Sequence, residues 1–134
     1  FEVNTVAPIL IVNKFHDLLK KAASKRGSAQ VANISSTAGS LEHAVRNEAP
    51  MPISIYSMSK AALNMLTRKL SLEWREDTIR ATSFCPGWVK TDMGTDRAML
   101  TLEESTVPLT KLILSLKEEN NGRYYSYNGD DIPW

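Results

Sequence analysis

An α/β fold with a parallel sheet packed between helices is predicted for this chain of 134 residues, and three observations predict it. Helical and strand-like stretches alternate along the whole sequence, as they do in right-handed crossover units. The strand-like stretches are short and largely apolar, the composition of strands buried between layers. The first two run into polar, glycine-containing segments, Ser35-Ser36-Thr37-Ala38-Gly39 and Pro86-Gly87-Trp88-Val89-Lys90-Thr91-Asp92-Met93-Gly94, and the loops beyond the carboxyl ends of such strands are where ligands bind.

From about Thr5 to Ser24, Ile9, Val12, Phe15, Leu19 and Ala22 recur at three- and four-residue steps, with Leu10, Ile11 and Leu18 widening the stripe, so a helix is expected. Lys20, Lys21, Lys25 and Arg26 gather at its end, where cations suit the negative pole of the helix, and Gly27 offers the stop. Gln30 to Ser36 reads as a buried strand, and Thr37 to Ile53, with Gly39, Pro50 and Pro52, as a loop. A second helix is expected from about Ser54 to Arg75, carried by Ala62, Leu63, Leu66, Leu70 and Trp74. Ile79 to Cys85 alternates and stops at Pro86-Gly87, a second strand. Thr91 to Leu100 is irregular. Thr101 and Glu104 form a capping-box pattern for a third helix reaching about Glu118, which Pro108 should kink or delay. Gly122 to Asn128, with three tyrosines, is the last strand.

Composition narrows the function. Sixteen Lys plus Arg against 15 Asp plus Glu leave a formal charge of +1, which carries no footprint for nucleic acid. The longest apolar run, Val6 to Val12, is far shorter than the roughly 20 residues a membrane helix needs. Cys85 is the single cysteine, so no internal disulfide and no multi-cysteine metal site can form; a cytoplasmic location and no metal are expected. About 150 residues suffice for one core, so one domain, residues 1–134, is expected. Phe1 opens straight into an amphipathic pattern without an initiator Met or a leader, as a fragment would.

Tyr56 and Lys60 stand four apart at the start of the second helix and share a face. A phenol titrates near 10 and is sluggish at neutral pH, but a neighbouring ammonium stabilises phenolate and lowers that value. A serine hydroxyl within reach could hold a carbonyl oxygen while a phenol protonates it. Alone the pair is weak: four tyrosines and nine lysines in this sequence give about 0.27 chance occurrences of the spacing.

Four segments in order change that. FEVNTVAP, VANISSTAG, YSMSKAALNMLTRKLSLE and CPGWVKTDMG together resemble the second half of the short-chain dehydrogenase/reductase superfamily. The closing NGRYYSYNGDDIPW and the long interval between serine and tyrosine are most similar to the branch of sniffer-type carbonyl reductases and C-factor-like proteins. The resemblance implies the C-terminal half of a Rossmann-type doubly wound parallel sheet. It implies NAD(P)H-dependent reduction of an aldehyde or ketone, with Tyr56 as general acid, Lys60 assisting it and holding the nicotinamide ribose, Ser36 (a better match than Ser35) binding the substrate oxygen, and Asn4 bending its helix and retaining a relay water. Pro86, Gly87, Val89 and Thr91 match the segment along the nicotinamide. NADP(H) is favoured over NAD(H) because the resembled branch generally uses it. A small carbonyl substrate is the implied partner, with a homodimer through the two apolar helices.

Plainer roles stand beside these. Asn4 can serve as an ordinary helix N-terminal residue, Ser36 and Thr91 as caps, and Trp88 as pocket lining or as packing under a lid. Cys85 reads as a small apolar strand residue rather than a nucleophile. His16 and His43 read as solvated or satisfied side chains, with His43 also open as a substrate contact. The six glycines, at 27, 39, 87, 94, 122 and 129, make no Gly-rich phosphate turn. The resemblance places that turn in a missing N-terminal half, so this stretch alone is expected to be inactive. A non-catalytic dinucleotide-sensing or interaction protein on the same fold is the alternative function.

Overall fold

The computed structural model describes residues 1–45 and 53–134. A π-helical turn (Glu2–Val6) leads into α1 (Ala7–Arg26), then β1 (Ala29–Ile34), a 3-10 turn (Thr37–Gly39), α2 (Leu41–Val45) and α3 (Ser54–Glu73). β2 (Ile79–Cys85), α4 (Leu102–Ser115), a second 3-10 turn (Glu118–Asn120) and β3 (Tyr124–Ser126) complete the order. The three strands form one parallel sheet, β1-β2-β3, with Ala29 opposite Ile79 and Ser83 opposite Tyr124. Parallel pairing demands a crossover between neighbours, and α3 and α4 supply the two crossovers.

Strand alternation sorts the layers. Ile79 and Ala81 of β2 meet Val12 and Ala23 of α1, Leu70 of α3 and Trp74 just beyond it. Phe84, pointing the other way, packs on Leu109 of α4 and on Tyr125. Helices therefore cover both faces, with β2 in the middle: six of its seven residues are buried and Arg80 is half-buried. β1 pairs on one side only among the described residues, and Ala32 and Ile34 on it are exposed.

Local signals account for the element ends. Gly27 closes α1 at φ 85°, its N–H on the Ala23 carbonyl, a left-handed conformation that other residues adopt at a cost. Thr101 accepts the Glu104 N–H while the Glu104 carboxylate accepts the Thr101 N–H, the full capping box. With that cap fixing its start, α4 runs through Pro108, so the expected delay does not occur; it ends at Ser115, short of Glu118.

Other expectations shift. Ser35 and Ser36 lie beyond β1, and β3 is only three residues long because its chain turns back so that Ile132 N–H bonds the Tyr124 carbonyl. The loop reading of Thr37 to Ile53 misses a 3-10 turn and α2; residues 46–52 lie outside the described residues. The apolar stripe of α1 buries Val12 but leaves Leu10, Ile11, Phe15 and Leu18 exposed.

His16 is satisfied, stacking on Trp74 at 4.3 Å between ring centroids and meeting Asp77 at 3.0 Å. The Lys20 ammonium also lies 3.0 Å from Asp77. Hydrogen bonds from Lys20 and then His16 hold the Asp77 carboxyl below the usual carboxylate range. A lowered folded value means that the stabilisation is present above the unfolded value and is lost as pH falls through the folded one. Asp77→Asn should flatten the acid limb of a stability-versus-pH curve measured by urea unfolding; an unchanged acid limb would contradict this.

No helix among the described residues is long and apolar enough to cross a membrane.

Candidate active site

The carboxyl end of β1 delivers two serines with different fates. Ser35 is buried; its N–H bonds the Phe84 carbonyl at 2.6 Å and its hydroxyl leans on the Lys60 carbonyl at 3.5 Å. Ser36 is half-buried, and its hydroxyl accepts the Ala38 N–H at 3.2 Å as the cap of the 3-10 turn. The capping role is therefore filled, yet it occupies only acceptor capacity, and the hydroxyl proton remains available to a ligand oxygen. The turn then seats on α3 at Gly39, where a Cβ would fall 2.8 Å from the Lys60 carbonyl carbon and Cβ.

Tyr56 and Lys60 occupy the first turns of α3, both half-buried. The Lys60 ammonium lies 5.8 Å from the centre of the Tyr56 ring and donates to the Ile34 carbonyl at 2.9 Å, so it is pinned to the end of β1. Burial lowers the Lys60 pKa, with the neighbouring Cys85 acting in the opposite direction. A partly desolvated cation is a stronger partner for a nearby developing anion than a solvated one.

Asn4 does not cap α1, whose N-cap is Val6 without a side-chain bond. It sits in the π-helical turn, and its Nδ2 donates to the Ser59 hydroxyl at 3.2 Å. Ser59 in turn donates to the Tyr56 carbonyl at 2.7 Å, and Thr5 Oγ1 donates to the Ser59 carbonyl at 3.1 Å. The turn bearing Asn4 is thus tied to the stretch of α3 between Tyr56 and Lys60.

Beyond β2, Gly87 adopts φ +80°, and a Cβ there would meet Leu100 Cδ1 at 2.5 Å. Val89 pairs with Leu100 in an isolated bridge flanked by Lys90 N–H to Leu100 carbonyl, 2.8 Å, and Leu100 N–H to Trp88 carbonyl, 3.1 Å. Thr91 Oγ1 donates to the Val89 carbonyl at 3.3 Å and accepts the Gly94 N–H at 3.1 Å, so it closes a tight turn rather than capping a lid helix. Trp88 is about half exposed and donates Nε1 to the Gly94 carbonyl at 2.8 Å, while Ser105 holds the Pro86 carbonyl at 2.6 Å.

Cys85 joins the two loops. Its sulfur accepts N–H groups from Thr37 at 3.3 Å and Gly87 at 3.4 Å, so it is more than the small apolar residue that its sequence context suggests. Asn4, Tyr56 and Lys60 are therefore tied together around the first turns of α3; the loop that bears Ser36 adjoins them through the Lys60 bond to the Ile34 carbonyl and the seat of Gly39 on α3, and Pro86 to Thr91 connects to that loop through Cys85. Ser59 was not singled out from sequence; its position between Tyr56 and Lys60 on the buried side of a helix is the signal that could have found it.

A family model described as short chain dehydrogenase matches residues 1–99. The chain is 34% identical over 134 residues to the C-signal protein of Myxococcus xanthus, covering 100% of this chain and 76% of that one. Among solved structures, the carbonyl reductase Sniffer of D. melanogaster superposes with a TM-score of 0.89 at 35% identity. An NADPH-bound carbonyl reductase from chicken fatty liver does so with 0.87 at 39%. In both, 98% of this chain is covered but only 54% of the other, so the chain spans about half the length of these reductases.

Proposed function

Because the chain belongs to the short-chain dehydrogenase family, we propose that the complete protein is an NAD(P)H-dependent carbonyl reductase. Residues 1–134 would be its catalytic half. The observation that carries this reading is the partly desolvated Lys60 ammonium held over the Tyr56 ring at the strand end from which Ser36 emerges.

The residues present suit a nicotinamide cofactor by their donor chemistry: an ammonium beside a phenol for ribose hydroxyls, and the Val89 backbone and Thr91 hydroxyl for a carboxamide, with Pro86 and Gly87 shaping the approach. When bound, the cofactor supplies the hydride. NADP(H) is proposed ahead of NAD(H) because the chicken fatty liver reductase carries NADPH.

The chain's own groups do the rest. Ser36 donates its hydroxyl proton as a hydrogen bond to the substrate oxygen and fixes it. As negative charge grows on that oxygen, the Tyr56 phenol transfers its proton to it, leaving phenolate. The Lys60 cation stabilises the phenolate by direct attraction, worth most in a site from which water is partly excluded. Asn4 keeps the backbone at Tyr56 in place through Ser59 and supports the route by which the phenol regains a proton. A small aldehyde or ketone is the proposed substrate, the cytoplasm the proposed location, and a homodimer the proposed assembly, its apolar surface including Phe15 and Leu18 of α1 and Met58 and Met65 of α3, all exposed here.

The test is direct. Full-length protein mixed with NADPH and a reactive dicarbonyl or quinone should oxidise the nucleotide, followed by loss of the reduced nicotinamide absorbance. No oxidation across a panel of such carbonyls, with tight NADPH binding retained, would favour a dinucleotide sensor instead.

A further inference from the structure

The loop that carries Ser36 is gripped by side chains from three other elements. Tyr124, on β3 and 88 positions away in sequence, donates its hydroxyl to the Ser36 carbonyl. Cys85, at the end of β2, accepts the Thr37 N–H at 3.3 Å. Asn64, on α3, donates Nδ2 to the Gly39 carbonyl at 3.2 Å. All three side chains are buried, with 1%, 3% and 3% of their residue surface exposed.

Two of these contacts fall on a single peptide unit. The Ser36 carbonyl and the Thr37 N–H are opposite edges of one rigid plane, and Tyr124 and Cys85 hold one edge each. Fixing that plane fixes the torsion that follows the Ser36 Cα, leaving the hydroxyl little freedom beyond its own rotamer. The Ser36 carbonyl also takes the Gly39 N–H at 2.7 Å, which the 3-10 turn would supply anyway; the Tyr124 bond is the part that local structure does not provide.

The Tyr124 ring is anchored independently, stacking on Trp134 at 5.1 Å between centroids and packing with Cys85 and Ile132. Burial pushes its phenol well above the ordinary value, with Cys85 adding to that shift and hydrogen bonds from Asn64 and Ser35 acting against it. That shift favours the neutral, hydrogen-bond-donating form of the phenol. A phenylalanine would fill the same space without the hydroxyl.

We infer that Tyr124 is a positioning residue for carbonyl reduction: through its hydroxyl on the Ser36 carbonyl it sets the direction of the Ser36 side chain. This rests on the reading of Ser36 as the group that holds the substrate oxygen. Displacing such a group by a fraction of an ångström weakens an interaction that matters most in the transition state, so kcat falls while cofactor affinity stays.

The test is a cycle of Tyr124→Phe and Ser36→Ala in the full-length protein. Tyr124→Phe should lower kcat about tenfold and leave the dissociation constant for NADPH within about twofold. In the Ser36→Ala background the same change should cost less than about twofold, because a group that acts only through Ser36 has nothing left to position. Amide hydrogen exchange in residues 36–40 should rise about tenfold in Tyr124→Phe, with Leu63 to Ser71 of α3 unchanged; this arm decides alone where Ser36→Ala leaves no measurable rate. Equal losses in both backgrounds, or unchanged kcat and unchanged exchange, would overturn the inference. Wild-type turnover in Ser36→Ala alone would sink the reading of Ser36 beneath it, and that failure shows without any change at Tyr124.

Discussion

Tyr56→Phe in the full-length protein lowers carbonyl turnover by about a thousandfold, the middle of the range that a positioned general acid contributes, while melting temperature and NADPH affinity stay close to wild type. The substitution removes one oxygen from a half-buried ring whose packing and helical position it leaves alone. Lys60 retains its bond to the Ile34 carbonyl, so the cation does not move. What disappears is the proposed proton donor. Single-turnover loss of the reduced nicotinamide signal under saturating carbonyl and NADPH measures the step itself. A rate within about threefold of wild type would mean that some other group delivers the proton.

Gly39→Ala is the second large effect, and it acts by displacement rather than by loss of a group. The new methyl would lie 2.8 Å from the Lys60 carbonyl carbon and 3.0 Å from the Ala61 nitrogen. These are backbone atoms well inside a helix whose Ser59, Leu63, Asn64, Thr67 and Leu70 are buried, so α3 cannot yield. The loop must, against the grip of Tyr124, Cys85 and Asn64. Overpacking of this kind costs about 1–3 kcal/mol, and the loop that moves is the one bearing Ser36. Turnover should fall at least about tenfold together with stability. Gly27→Ala is the control: nothing lies within 4 Å of a Cβ there, so its cost comes only from φ 85°, about 1–2 kcal/mol, and turnover at a temperature where the protein stays folded should not change. A Gly39→Ala protein with wild-type turnover and stability would refute the close approach.

The parts of the fold written in neighbouring residues were the legible ones. β2 is bounded as expected, at Ile79 and Cys85, because Pro86-Gly87 ends it. The Thr101–Glu104 box and the Gly27 stop are likewise local chemistry. The misreadings come from tertiary context. α2, of five residues, has too few turns to leave a periodic signature. Of the apolar residues of α1 only Val12 and Ala23 are buried; periodicity says which residues share a face and not what covers it. β3 is cut short by the chain folding back at Ile132, which propensity cannot foresee.

In the site, Tyr56 and Lys60 are four apart on one helix, so their proximity follows from helical geometry. The bond from Asn4 to Ser59 spans 55 positions and that from Tyr124 to Ser36 spans 88. Tyr124, one of three tyrosines within four residues, reads as strand propensity and nothing more. Cys85 reads from its sequence context as a small apolar residue; its use as a sulfur acceptor between two loops appears only once both strand ends are placed side by side.

A crystal structure of the full-length protein with NADPH and a bound carbonyl inhibitor probes the central claim most directly. The carbonyl oxygen should lie about 2.6–3.2 Å from both the Tyr56 phenol oxygen and the Ser36 hydroxyl, with the Lys60 ammonium between the Tyr56 ring and the nicotinamide ribose. A carbonyl oxygen held by neither hydroxyl, with Tyr56 and Ser36 facing different spaces, would contradict it.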